Sequence, residues 1–213
     1  RADVMFPRLL ELGPITLHTY GLLLATAYLT SIMLASRLAA KEGVSADRVW
    51  DLGLVVIISA LAGAKLLLVL TDLGGYWAQP SRLVSVEFWQ AGGVYYGGFI
   101  GAVAGAALWV SRSPNLRFWT IADGAAPAIA LGQSIGRLGC FAAGCDYGTA
   151  TTLPWAVTFT SEYAHQHIGV PLNVALHPTQ LYESGTTFLI FWILLGIYKK
   201  IRFSGQVFFS DRL

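Results

Sequence analysis

Charge is scarce in this chain. Only 12% of its 213 residues are Asp, Glu, Lys or Arg, where an ordinary soluble domain carries about 25%. That shortage argues against a well-solvated surface. The net charge of +2 comes from scattered basic residues, which leave no electrostatic footprint for a nucleic acid, so no such partner is expected. Cysteine is as sparse: Cys140 and Cys145 are the only two, too few for a disulfide framework. No histidine pair has the HExxH spacing and no phosphate-cradling glycine loop ends in Lys-Ser or Lys-Thr. His165 and His167 stand two apart without a supporting ligand set. No metal ion or cofactor is therefore expected, and neither serine hydrolysis nor nucleotide hydrolysis.

What is present is apolar: 55% of the residues are hydrophobic, 13% are aromatic and 23 are glycine. About 20 apolar residues suffice to cross a bilayer as a helix. Residues 15–36, 51–70, 92–111, 119–141 and 184–198 are the five expected spans. The first follows a polar arm and lacks a small-residue cleavage site, so it reads as a spanning helix and not as a signal peptide. Basic residues select the orientation, because loops rich in Lys and Arg stay in the cytoplasm. Arg37, Lys41 and Arg48 follow the first span, Arg112 and Arg117 the third, and Lys199, Lys200 and Arg202 the fifth, whereas residues 142–183 contain no Lys or Arg. The expectation is an all-α, polytopic, multi-pass membrane protein, one membrane-embedded domain over residues 1–213, with its N-terminus on the periplasmic side. The apolar run at 206–210 is expected to start a return across the membrane, so at least one further helix is expected in the complete protein. Gly97, Gly101 and Gly105 form a small-xxx-small ridge on the third span, suited to close helix packing.

With this orientation the unusual polar residues gather at one depth, in the outer half: Tyr20, Tyr95, Tyr96, Arg137, the segment 139–148 and the segment 177–183. Arg137 is the sharpest signal, since a guanidinium stays charged when buried and needs a partner in the membrane. A phosphate matches its forked donors; the alternative is an ion pair with Asp146 or Glu183. Lys65 either snorkels to the interface or meets a head group. Asp123 is expected to cap the fourth span.

Gly136-Arg137-Leu138-Gly139-Cys140-Phe141, running on to Tyr147-Gly148, resembles the central signature of bacterial prolipoprotein diacylglyceryl transferases. Thr19-Tyr20-Gly21, Gly92-Gly93-Val94-Tyr95-Tyr96-Gly97-Gly98, Ala122-Asp123 with Ala126-Pro127, and His177-Pro178-Thr179-Gln180-Leu181-Tyr182-Glu183 are similar to further family segments in the same order. The resemblance implies transfer of the diacylglyceryl group of phosphatidylglycerol to the lipobox cysteine thiol of a prolipoprotein signal peptide, forming a thioether and releasing glycerol 1-phosphate. It implies a bacterial inner-membrane enzyme, embedded in membrane lipid, with its active site toward the periplasm. Arg137, Tyr96 and Tyr20 are the expected catalytic residues, Arg137 holding the phosphate and Tyr20 orienting the head group. Tyr95, Gly98, Cys140, Asp146, Gly148, His177, Gln180 and Tyr182 join Arg137 and Tyr20 as expected substrate-binding residues.

The chain departs from the family pattern at four places. Tyr96 stands where the family has histidine, and a phenol with an ordinary pKa near 10 is a poor base, so His18 or His177 becomes the candidate base. Cys140 replaces an asparagine, and Cys145 the usual glutamate, with Asp146 next to it. The two cysteines read as small buried residues, as a disulfide or as a nucleophile. The family's last-helix arginine has no counterpart, and Arg212 is not assigned to that role. Two other functions fit the same residues: a phospholipid acyltransferase that uses one of these cysteines, and a lipid-head-group transporter.

Overall fold

The computed structural model describes residues 7–12, 15–90, 93–113 and 118–200. The expected Gly92 and Arg117, and the run at 206–210, lie outside these. The chain is mostly helical, as its composition requires. Strands β1 (Arg8–Leu12) and β2 (Ile15–His18) pair antiparallel, and then come helices α1 (Thr19–Lys41), α2 (Ala46–Thr71), α3 (Leu73–Ala78), α4 (Val86–Gln90), α5 (Tyr95–Arg112) and α6 (Phe118–Ala143). A 3-10 turn at Pro80–Val84 separates α3 from α4. Strand β3 (Val157–Thr158), helix α7 (Glu162–Ile168), strand β4 (Ala175–Leu176) and helix α8 (Thr179–Tyr198) complete the order.

Among the described residues, α1, α2 and α8 are long and apolar enough to cross a membrane; α5 and α6 stand where the third and fourth spans were expected. Hydroxyls within these helices return to their own backbone, as an apolar solvent demands: Thr26 donates to the Leu22 carbonyl at 2.8 Å and Thr30 to that of Thr26 at 2.7 Å. The outward faces are apolar, with Leu54, Ile58 and Leu61 of α2 all exposed. That four-then-three spacing is one face of a helix.

The chain forms two compact units, Arg1–Ala35 with Ala122–Leu213, and Ser36–Ile121. In the second unit α2 and α5 pack through small residues. A Cβ on Gly97 would strike the Gly63 carbonyl, one on Gly101 the Ser59 carbonyl, and one on Gly105 the Ser59 hydroxyl. Only glycine permits that approach, so the ridge expected for packing does pack, against Ser59 and Gly63. Lys65 Nζ donates to the Phe88 carbonyl and sits 4.8 Å from the Phe88 ring centroid.

In the first unit α1 and α6 meet where a Cβ on Gly132 would hit the Ser31 hydroxyl. Helices α6 and α8 are joined by a reciprocal serine pair: Ser134 Oγ donates to the Ser184 carbonyl at 3.0 Å and Ser184 Oγ to that of Ser134 at 2.9 Å. Between α6 and α8 the chain builds a small core of Phe159, Ala164, Val170 and Leu176. Helix α7 starts where Ser161 Oγ accepts from the Ala164 N–H at 3.3 Å and ends at Gly169, whose φ of 81° is left-handed. Both are the usual helix-end residues.

Two expectations are corrected. The first helix begins at Thr19, not at residue 15, because Ile15–His18 is a strand paired with β1. Asp123 does not cap α6: it is the sixth residue of the helix, beyond the turn whose N–H groups are free, and is only 3% exposed.

Candidate active site

The last turns of α6, the turn after it and the first turn of α8 converge in the first unit. Arg137 projects from α6 and is held between two carboxylates. Its Nη1 donates to Asp146 Oδ2 at 2.7 Å, and its Nε lies 2.5 Å from Glu183 Oε2. The second approach is an ion pair without a well-directed hydrogen bond, since Nε is buried and its N–H is not aligned on an acceptor. The guanidinium side chain is 24% exposed, against 57% and 49% for its partners, so the pair is reached from solvent through the carboxylates. The ion-pair alternative read from the sequence is thus what the structure contains. With two carboxylates on one guanidinium the cluster carries a net negative charge, and both carboxylates compete with any anion for Arg137.

Asp146 owes its position to the backbone. Its φ is 55°, a left-handed conformation rare outside glycine, and Thr179 Oγ1 holds its carbonyl at 2.6 Å. Gln180, 1% exposed at the start of α8, donates from Nε2 to the Cys145 carbonyl at 2.6 Å. Gly148 donates its N–H to the His177 carbonyl at 3.0 Å, and a Cβ there would meet His177 and Thr179 at 2.7 and 2.8 Å. A larger residue at 148 would part the turn from α8. His177 Nδ1 lies 3.2 Å from the Tyr182 hydroxyl, which accepts from Trp155 Nε1 at 2.7 Å. Tyr182 Oη can either donate its proton to His177 Nδ1 or accept from it, according to the imidazole tautomer.

Tyr20 stands at the start of α1, where Gly139 of α6 lets its ring close in: a Cβ on that glycine would be 3.3 Å from the ring. Cys140 and Cys145 are both free thiols. The Cys145 thiol is held below its ordinary pKa, first by a hydrogen bond from Cys140 and also by the charge of Arg137, against the opposing effects of burial and Asp146. His18 is engaged elsewhere, its Nε2 2.9 Å from the Tyr163 hydroxyl.

The structure thus brings Tyr20, Arg137, Cys140, Asp146, Gly148, His177, Gln180 and Tyr182 into one unit. Tyr95, Tyr96 and Gly98 belong to the other, where the two phenols are exposed and stacked edge to face at 5.7 Å. Sequence reasoning gave Thr179 and Trp155 no role. Thr179 was legible as part of the His177–Glu183 segment; nothing in the sequence pointed to Trp155. Serine hydrolysis was set aside on the absence of a G-x-S-x-G elbow, and that ground is corrected: Gly132-Gln133-Ser134-Ile135-Gly136 has the spacing. That motif requires a strand-to-helix turn exposing the serine, whereas Ser134 is buried inside α6 and bonded to Ser184.

The family profile described as prolipoprotein diacylglyceryl transferase matches residues 7–210. Relatives named phosphatidylglycerol–prolipoprotein diacylglyceryl transferase are similar along most of the chain. The one from Clostridium tetani is 35% identical over 205 residues, covering 96% of this chain and 78% of the relative. Those from Trichormus variabilis and Nostoc sp. are each 36% identical, covering 90% of this chain and 66% of the relative. The chain therefore spans about two thirds to three quarters of the length of these relatives, and it belongs to the prolipoprotein diacylglyceryl transferase family.

Proposed function

We propose that this protein transfers the diacylglyceryl group of phosphatidylglycerol to the lipobox cysteine of a prolipoprotein, at the outer face of a bacterial inner membrane. The observation that carries the reading is Arg137, a buried-stem guanidinium at a helix end, held ready by two displaceable carboxylates. In the reaction the substrate thiolate attacks the glycerol carbon bearing the phosphate, forming the C–S bond. The C–O bond breaks with its electron pair going to the phosphate oxygen, and glycerol 1-phosphate leaves. Charge grows on the phosphate as that bond breaks, so a forked cation on the leaving group stabilises the transition state more than the ground state. Arg137 serves that role, and Tyr20 orients the head group.

The thiol proton needs an acceptor. Of the two histidines considered, His18 is engaged by Tyr163, while His177 is oriented by Tyr182 within the α6–α8 cluster. We assign the base role to His177: in the tautomer that donates from Nδ1 to Tyr182 Oη, Nε2 is the free acceptor for the thiol proton. Tyr95, Tyr96 and Gly98 are proposed to line the lipid. The test is kinetic. In phosphatidylglycerol micelles with a lipobox peptide, Arg137→Ala should lower turnover by about a hundredfold or more, the scale of losing an oxyanion donor. Arg137→Lys should restore a part of it, because charge returns without the fork. Equal rates for wild type and Arg137→Ala would remove the phosphate role.

A further inference from the structure

Helix α6 closes with a six-to-one turn. The Cys145 N–H donates to the Cys140 carbonyl at 3.1 Å, the Gly144 N–H reaches the Phe141 carbonyl at 3.3 Å, and Gly144 takes a φ of 84°. Such a turn brings together the side chains of the residues that begin and end it, an apolar pair in many helices. Here both are thiols, and both are free. Asp146 follows at once, its left-handed backbone turning the carboxylate back on the pair. One donor atom from each of Cys140, Cys145 and Asp146 lies within 4.8 Å of the others.

The second and third donors sit on fixed backbone, because Gln180 holds the Cys145 carbonyl and Thr179 that of Asp146, each at 2.6 Å. The same Gln180 side chain, 1% exposed, leaves its Oε1 buried with no hydrogen-bond partner beside this turn. A buried acceptor left without a donor is costly, and a metal-bound water supplies a donor. Charge also favours loading: two thiolates and the carboxylates of Asp146 and Glu183 are opposed by a divalent ion together with the Arg137 guanidinium, which leaves one net negative charge on the cluster.

We propose that Cys140, Cys145 and Asp146 form a binding site for a thiophilic divalent cation of the zinc class. Two sulfurs and one oxygen are a donor set that borderline-soft ions accept and that magnesium and calcium do not. Loading replaces two S–H bonds by two metal–sulfur bonds and releases two protons. The site closes the end of α6 and fixes the turn that carries Asp146. It reverses the expectation that the chain binds no metal, which weighed only the histidines. The cation site stands independently of the transferase reading, since its test needs no turnover.

The purified full chain, reduced and stripped with a chelator in detergent micelles, is titrated with Co²⁺ alone. One equivalent should produce sulfur-to-cobalt charge-transfer absorption in the near ultraviolet, and Zn²⁺ should bleach it. Cys140→Ser and Cys145→Ser should each abolish the band, and Asp146→Asn should weaken binding about tenfold or more. A second measurement uses wild type alone: prior Zn²⁺ should protect both thiols from N-ethylmaleimide, as read by peptide mass, which holds even where a serine variant fails to fold. No charge-transfer band with unprotected thiols overturns the proposal. So does a band that survives in both serine variants, or a pair that oxidises to a disulfide and takes up no metal after reduction.

Discussion

Arg137 is engaged by Asp146 and Glu183, so each carboxylate competes with the phosphate that Arg137 is proposed to receive. Glu183→Gln removes one competitor and keeps the side chain's shape. An exposed ion pair is worth up to about 1 kcal/mol, so the KM for phosphatidylglycerol should fall by up to about fivefold; an unchanged or higher KM would mean that Glu183 assists the substrate. Cys145 gives a pH prediction. Its thiol sits below the ordinary value because Cys140 donates to it, so in metal-free protein its alkylation rate should begin to rise at lower pH than for an ordinary thiol. In Cys140→Ala that donor is gone, the pKa moves up, and the rise should come at higher pH. Peptide-resolved iodoacetamide rates decide the matter. Arg137 was legible in the sequence because a guanidinium near a span's end needs an anion. The cysteine pair was only half legible: Gly144, four residues after Cys140 and just before Cys145, was the available sign of the turn that joins them.

At the level of elements, glycine placement governs how the helices meet. Gly101 faces the Ser59 carbonyl with no room for a methyl group, while Gly196 of α8 has nothing within 4 Å of a Cβ. Gly101→Ala should destabilise the α2–α5 pair by about 1–3 kcal/mol, the usual cost of overpacking, and Gly196→Ala should leave stability unchanged or slightly higher. Detergent-denaturation midpoints compare the two directly. Ser184→Ala removes the bond from Ser184 Oγ to the Ser134 carbonyl and leaves that from Ser134 Oγ to the Ser184 backbone carbonyl in place. It should cost about 1–2 kcal/mol, typical of interhelical bonds in membranes. The long helices were legible from apolar run length alone. The β1–β2 hairpin was not, because Ile15–His18 extends an apolar run without a break; Gly13-Pro14 in the sequence was the turn signal that run length overrode. The core of Phe159, Ala164, Val170 and Leu176 was hidden for another reason: its strands are two residues long, too short for a period to show.

For the whole molecule, low charge and abundant apolar residues correctly indicated a polytopic membrane protein, and five short motifs in order indicated the family. Composition could not reveal the partition into two units, because contacts between distant segments, not residue types, define it. Product analysis reads which bond is made. The purified chain is incubated with phosphatidylglycerol of one defined acyl composition and a lipobox peptide, and both products are identified by mass. The peptide should gain one diacylglyceryl group through a thioether that resists hydroxylamine, with glycerol 1-phosphate released in equal amount. A peptide that stays unmodified, or an acyl thioester on the protein's own Cys140 or Cys145, would contradict the account.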